Sequence, residues 1–464
     1  MRTRILYFAA LLVFLTGGIG QAADDNTKPS TEELLGLINT LQQQISKMGG
    51  ELKALKEQLS ETVSVVEAAP PEEEPVTAVA PTRTNQFGFY WKDGIRLDTD
   101  DGAFKLKISG RIQNDWAWFD DSSGLRAAFG DNEDGTEFRR TRLSVGGTIY
   151  NDFEFKSQYD FADGMGEFKD MFIAAKNIPV IGRVSVGQFK EPFGLDENTS
   201  SKYITFMERN QASETFSPGR NTGIMANNQV LNDRMTWAIG VFRSTDDFGA
   251  GSDDGGYNVT GRLTGLPWYQ NEGEKLLHMA VAYSRRNVDD ELEFDSRPNS
   301  HLAETYLATD VFDVDEMDLF GAELALQCGS FSLQSEFFMA DVDTVMLGSR
   351  SFGGYYVQTG YFLTGEHRPY ETEEAIWGRL KPNKPFSIRN RTGAGAWEIA
   401  LRFGEVDLND GAIRGGEEEN TTLALNWYLN PNLRVMFNYI HAKIDHDMYD
   451  GTLDTFQTRF QVDF

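Results

Sequence analysis

From Phe104 to the C-terminus the chain alternates apolar and polar residues with a period of two. In "FKLKISGRIQND", Phe104, Leu106, Ile108 and Ile112 share one face, and Lys105, Lys107, Ser109, Arg111 and Gln113 share the other. In "DFEFKSQYDF", Phe153, Phe155, Tyr159 and Phe161 stand against Glu154, Lys156, Gln158 and Asp160. Met235, Trp237, Ile239 and Val241 repeat the pattern, as do Leu277, Met279, Val281 and Tyr283, and Trp397, Ile399, Leu401 and Phe403. Successive side chains of a strand point to opposite faces, so the pattern predicts strands. In a soluble sandwich the apolar face points inward and strands run about 5–6 residues. Here many segments run to about ten residues and carry Phe, Tyr or Trp near their ends. That predicts strands facing lipid outward and water inward.

The connections add a parity. Tight links at 150–152, 232–233, 329–330 and 429–432 alternate with long polar segments near 119–136, 191–220, 244–256, 287–317, 343–354, 409–419 and 444–453. Short turns at one end and long loops at the other are the habit of membrane barrels, and the parity gives about 16 strands. The expected fold is an all-β transmembrane barrel of about 16 antiparallel strands over residues 86–464, preceded by an α-helical coiled-coil segment. The final "TFQTRFQVDF" places Phe456, Phe460, Val462 and Phe464 on one face and ends the chain on an aromatic.

Before residue 86 the period changes. Residues 1–23 read as a secretory signal peptide, with Arg2 and Arg4 ahead of an apolar run and Ala22-Ala23 at its end. In residues 24–66, Leu34, Ile38, Leu41, Ile45, Met48, Leu52, Leu55 and Leu59 are spaced alternately four and three apart, a heptad seam. Gly49 and Gly50 weaken it, each by about 1 kcal/mol relative to Ala. The expectation is a periplasmic stalk that self-associates, as a trimer, and contacts the cell wall or another envelope component; the alternative is a single amphipathic helix lying on the barrel. The seam alone does not fix the number of chains. Residues 67–85, rich in Pro and Glu, read as an extended linker.

Composition fits a barrel: the 464 residues include 33 Phe, 16 Tyr and 45 Gly, which favours strands and turns. A mean hydropathy of −0.42 is compatible with the membrane because only one face of each strand is apolar. The single Cys328 excludes an intramolecular disulfide and a cysteine metal cluster. The five histidines are scattered, and His441 and His446 point to opposite faces of one predicted strand. No nucleophile–His–acid arrangement or Gly-rich phosphate loop sits at a strand-to-helix boundary. The expectation is therefore no enzyme, no cofactor and no nucleic-acid partner.

The formal net charge is −28, yet the acid clusters in predicted loops at 120–121, 131–134, 246–247, 253–254, 289–295 and 417–419. There it would solvate the loops or hold divalent cations that bridge to lipopolysaccharide. The polar strand faces carry cations. Arg140 and Arg142 face inward with Ser144 and Thr148, and Arg139 falls near the loop rim. Lys105, Lys107 and Arg111 on the preceding strand and Lys156 on the next complete one positive wall, since neighbouring strands lie about 4.8 Å apart. Arg262, Arg402, Arg434 and Arg459 also fall on polar faces. A narrow pore of one charge sign concentrates counter-ions, and Arg or Lys rings favour anions. The alternative is that these cations balance Glu154, Asp160, Glu323, Glu336 and Glu398.

Several stretches resemble the phosphate-selective porin O/P family of Gram-negative outer membranes: "EFRRTRLSVGGTIY" (137–150), "VGQFKEPFGLDENTSSKYITFMER" (186–209), "GYYVQTGYFLTGEHRPY" (354–370), "GAWEIALRFGEVDLND" (395–410), "LALNWYLNPNLRVMFNYIHA" (423–442) and the terminal "RFQVDF". The resemblance implies a 16-stranded homotrimeric porin with an anion-preferring lumen for small anions such as phosphate or polyphosphate. It also implies that segment 365–395 folds into the barrel. The half "RLKPNKPFSIRNR" carries Arg379, Lys381, Lys384, Arg389 and Arg391 and no acid, and these groups would meet the loop after "GQFKEPFG" near the narrowest point, the alternative being a solvated periplasmic loop. A non-selective or organic-anion porin, or a structural barrel tethered through its coiled coil, are the other readings.

Overall fold

The computed structural model describes residues 87–464, apart from residue 163 and residues 252–255. The expected signal peptide, heptad seam and linker lie outside the described residues.

Sixteen strands form the wall. They are β1 (Lys105–Asp121), β2 (Gly135–Ile149), β3 (Phe153–Asp160), β4 (Glu167–Ile178), β5 (Gly182–Lys190), β6 (Arg220–Val230), β7 (Met235–Arg243) and β8 (Asn258–Gln270). Then follow β9 (Lys275–Leu292), β10 (Phe312–Cys328), β11 (Phe331–Thr344), β12 (Gly348–Phe362), β13 (Ala396–Asp410), β14 (Ile413–Asn430), β15 (Leu433–His446) and β16 (Tyr449–Asp463). Each pairs antiparallel with the next, and β16 returns to β1 from Leu453↔Asp121 to Asp463↔Arg111. Closure leaves the wall without an unpaired edge, which a sheet in lipid requires. The expected barrel is present with the expected strand number. Among the described residues no helix is long and apolar enough to cross a membrane.

At the seam, Phe464 exchanges backbone hydrogen bonds with Gly110 at 2.8 and 3.0 Å. A Cβ on Gly110 would lie 2.7 Å from the Phe464 ring, so a side chain there would displace the terminal aromatic. Below the end of β16, a hairpin of Phe87–Trp91 and Ile95–Thr99 continues the sheet by pairing with Lys105–Ile108 of β1. Alternation did not reveal this hairpin, because all five residues of its first strand are exposed.

The outward faces are those the alternation assigns: Ile112, Trp116 and Trp118 on β1, Leu143 and Ile149 on β2, and Ile239 and Val241 on β7 are exposed. Three expected long loops are instead tight hairpins. β11 runs to Thr344 and β12 starts at Gly348, β13 and β14 meet at Asp410 and Ile413, and β15 and β16 meet at His446 and Tyr449. Glu417–Glu419 therefore belong to a strand, not a loop. The hydrogen-bonded ladder continues past the lipid, and in water a strand has no reason to alternate. The lipid boundary is marked by outward tyrosines donating to carboxylates above them: Tyr283 to Asp318 and Tyr439 to Asp454 at 2.7 Å, and Tyr355 to Glu405 at 3.1 Å.

Several segments leave the wall for the interior. Residues 191–219, between β5 and β6, carry the short helices α2 (Leu195–Asn198) and α3 (Gln211–Phe216); the other short helix, α1 (Ser123–Phe129), lies between β1 and β2. From the short-turn end, residues after Phe362 bring Tyr370 and Trp377 inside, where they pack with Leu195, Leu266 and Leu276. At the long-loop end, Leu125, Phe216, Phe294, Tyr306, Phe338 and Phe352 share an internal apolar cluster. These insertions cover the inner face from β9 to β16: His278, Glu336, Arg402 and Arg459 are buried. On β3 and β4 the inner face stays open, with the side chains of Lys156 and Lys176 37% and 31% exposed.

Candidate functional site

The interior segment 191–219 is held by groups from the opposite wall. Glu336 of β11 accepts the N–H groups of Leu195 (2.6 Å) and Asp196 (2.8 Å) at the first turn of α2, and Tyr356 donates to the same carboxylate. Further along, Arg434 donates to the carbonyls of Ile204 (2.7 Å) and Thr205 (2.9 Å), Arg402 to that of Glu208 (3.0 Å), and Arg459 to that of Met207. Arg402, expected as a pore cation, thus fastens the segment through its backbone.

Glu208, on the same segment, is where the arginines converge. Arg139 reaches its carboxylate at 3.1 Å and Arg140 at 3.2 Å, and Arg459 bonds to it while chelating Asp115 at 2.7 and 2.6 Å. Burial pushes the Glu208 carboxyl up, but the charges of Arg139, Arg140 and Arg459 outweigh it and hold the group well below the usual carboxylate range. Arg139 does not sit at the loop rim as the alternation implies. The β1–β2 register shifts where Gln113 pairs with Arg140 and Asn114 with Phe138, which leaves Arg139 as the extra residue of a β-bulge. Two consecutive arginines then reach one inward carboxylate.

Several other wall cations form a ladder of ion pairs. Arg142 bonds to Asp160 at 2.5 Å; Lys156 (2.5 Å) and Arg220 (2.7 Å) share Asp170; Lys190 meets Glu197 at 3.2 Å. Arg262 grips Glu323 at 2.8 and 2.6 Å and the carbonyl of Ala375 at 3.1 Å, so it locks the second insertion to the wall. His278 completes that lock, 3.0 Å from Glu323 and 2.7 Å from the Tyr370 hydroxyl. Lys105 is exposed at the short-turn end of β1.

The cations of segment 365–395 do not gather at the level of Glu208. Arg379 pairs with Asp463 and, at 3.3 Å, with Asp93 of the added hairpin. Lys381 follows the buried Leu380 and is exposed. Lys384, Arg389 and Arg391 are exposed too, on a turn whose Phe386 ring lies 5.1 Å from the outward Trp427. The inserted half of the segment is the one with Tyr370 and Trp377 to bury, while the Pro-flanked basic half buries only Leu380, at its start, against Phe362 and Ala396. Charge alone could not separate the two halves.

Lys107, Arg111 and Lys202 keep no carboxylate within ion-pair distance among the described residues; the same holds for Arg402 and Arg434, but their guanidinium groups are engaged by the segment's own carbonyls. Arg111 donates to the Ser201 hydroxyl at 2.5 Å, and Gln113 to the Ser201 carbonyl at 3.2 Å, which seats Lys202 beside β1. Burial is the main influence pushing the Lys202 ammonium down, to about 7; Arg111 adds to it, as do Arg379 and Lys107, against Asp463. A small pocket beside Lys202 is lined by Tyr203, Arg368, Arg379, Arg434, Gln461 and Asp463. Alternation singles out Lys107 and Arg111 but not Lys202 or Glu208, which lie on a segment without period. The only signal for those two was the charge-bearing "SSKYITFMER" inside a stretch resembling the porin family.

The chain matches the family model described as phosphate-selective porin O and P over residues 106–464. It is 29% identical to Porin O of Pseudomonas aeruginosa over 419 residues, covering 80% of this chain and 91% of that protein. It is 27% identical to an uncharacterized protein of Caulobacter vibrioides, covering 94% of this chain and 90% of the other. In fold it is similar to the anion-selective porin from Comamonas acidovorans, with a TM-score of 0.50 at 12% identity, covering 78% of this chain and 100% of that one. With that family pattern running through nearly the whole sixteen-strand wall and both inserted segments, the chain belongs to the phosphate-selective porin O and P family.

Proposed function

We propose that this chain forms a water-filled outer-membrane channel passing small anions, phosphate among them, by passive diffusion, with Lys107, Arg111 and Lys202 as its selecting groups. The observation that carries the reading is that none of the three forms an ion pair among the described residues where segment 191–219 crosses the interior, while Arg140, Arg142 and Lys156 on the neighbouring wall are each paired with a carboxylate. Uncompensated charge in a low-dielectric channel concentrates the opposite ion. Lys supplies a point charge and Arg a planar fork, both suited to phosphate oxygens. The similar porins named above, one of them titled anion-selective, support the assignment, and the family and fold point to a channel rather than an enzyme. We take residues 1–23 as the signal peptide, 24–66 as a periplasmic trimeric stalk and 67–85 as its linker. The outward carboxylates above the lipid boundary suit divalent cations bridging to lipopolysaccharide.

Reversal potentials in a planar bilayer under a salt gradient test the proposal. The native channel should prefer anions, and Lys107→Gln/Arg111→Gln/Lys202→Gln should lower the anion-to-cation permeability ratio by roughly ten-fold. A cation-selective native channel overturns the reading. An unchanged ratio in the triple variant favours the weakly selective alternative, which the ion-pair ladder on β3–β6 supports.

A further inference from the structure

We propose that the turn formed by residues 384–395 binds phosphate-bearing anionic phospholipid headgroups at the short-turn end of the barrel, anchoring that wall in the periplasmic leaflet. The turn is fixed to the outside of the barrel. Phe386 N–H donates to the Leu429 carbonyl (2.7 Å), Gly395 N–H to that of Lys384 (3.0 Å), and a backbone bridge joins Ser387 to Thr392. Trp397 and Trp427 stack at 5.2 Å on the outer wall, and both indole N–H groups donate to the Ala394 carbonyl, at 3.1 and 2.9 Å. Tryptophans in that position mark a lipid–water boundary. The turn is continuous with it.

The side chains the turn presents are those of an interfacial anchor. Ile388 is 79% exposed, and Tyr361, Leu363 and Leu433, at the same end of the wall, are exposed as well. Lys384, Arg389 and Arg391 are exposed and have no ion pair among the described residues. No Asp or Glu occurs between residues 375 and 397. Two acids near the turn are engaged elsewhere: Glu366 accepts from Asn383 N–H (2.9 Å), and buried Glu398 accepts from Asn426 and Tyr428 (both 2.9 Å). The opposite end of the same wall carries Glu405, Glu419 and Asp454 facing outward. One wall therefore meets its two lipid boundaries with opposite charge. Basic clusters beside an apolar anchor attract anionic lipid headgroups, and Arg matches a phosphate with two parallel hydrogen bonds.

The test uses the full-length folded protein in a zwitterionic detergent, titrated with phosphatidylglycerol or phosphatidylcholine and scored by native mass spectrometry for lipids retained per chain. The expected result is several-fold greater retention of phosphatidylglycerol, lost in Lys384→Gln/Arg389→Gln/Arg391→Gln and kept in Lys381→Gln and in Arg389→Lys/Arg391→Lys. Circular dichroism verifies that each variant is folded. Equal retention of the two lipids, or an excess that survives the triple substitution, overturns the proposal. So does displacement by excess inorganic phosphate at millimolar concentration, which places the anion in the channel, or loss of trimers in the triple variant, which gives the turn to a second copy of the chain. None of these readouts depends on conduction, so the channel reading and this one fail separately.

Discussion

Lys202 is a lysine whose ammonium burial and neighbouring positive charge push down to about 7. Its charge is present below that pH and lost above it, so anion preference should decline as pH rises from 6 to 8.5. Reversal potentials across that range check this, and Lys202→Gln should abolish the dependence; a native channel of constant selectivity would contradict the role given to Lys202. Glu208 has the opposite sign. Its carboxyl is held below the usual range by Arg139, Arg140 and Arg459, so its contribution to stability is full above the ordinary carboxylate value of about 4.3 and disappears as pH falls through the lower folded value. Removing one partner of a buried ion pair costs about 3–5 kcal/mol. Glu208→Gln should therefore melt at lower temperature than the native protein at pH 7, with the difference closing in acid; parallel melting curves at both pH values would contradict this.

At the level of elements, segment 191–219 is placed by contacts that no local pattern announces. Glu336, far along the chain on β11, receives the backbone N–H groups that open α2. Replacing it with Ala leaves those donors without an acceptor and loosens the near end of the segment. We expect Glu336→Ala to raise single-channel conductance noise and to expose 191–219 to protease, with the barrel's circular dichroism unchanged; a quiet, protease-resistant variant would mean that the arginine contacts suffice. Alternation correctly oriented Arg140 and Arg142, because direction along a regular strand is a matter of parity. It misplaced Arg139 because a single bulge breaks parity without any marked change in residue type. It also drew loops at 343–354, 409–419 and 444–453 where strands continue, since polar strands above the lipid look like loops to a hydropathy pattern.

For the whole molecule, the decisive event is closure of β16 onto β1. The Phe464 ring over Gly110 occupies the space a side chain would need. Gly110→Val should therefore lower the yield of folded barrel, measured as the fraction that resists denaturant without heating, while leaving the selectivity of molecules that do fold unchanged. A normal yield would show that the backbone pairing of the two strands is enough. The barrel is also unequal around its circumference: insertions fill the interior along β9–β16, and the open face with its ion-pair ladder lies along β3–β6.

The amino-acid order by itself determined the strand count, the outward or inward face of residues on the regularly alternating strands, and the presence of inward cations on β1 to β3. All of these follow from a period-two geometry that each residue carries locally. Only the tertiary structure decided which of those cations are neutralised. Arg140 is answered by Glu208 and Arg262 by Glu323, whereas Lys107, Arg111 and Lys202 form no ion pair among the described residues. Those pairings depend on where two irregular segments cross the interior. Their path is set by contacts with the far wall, and nothing in their own residue pattern encodes it.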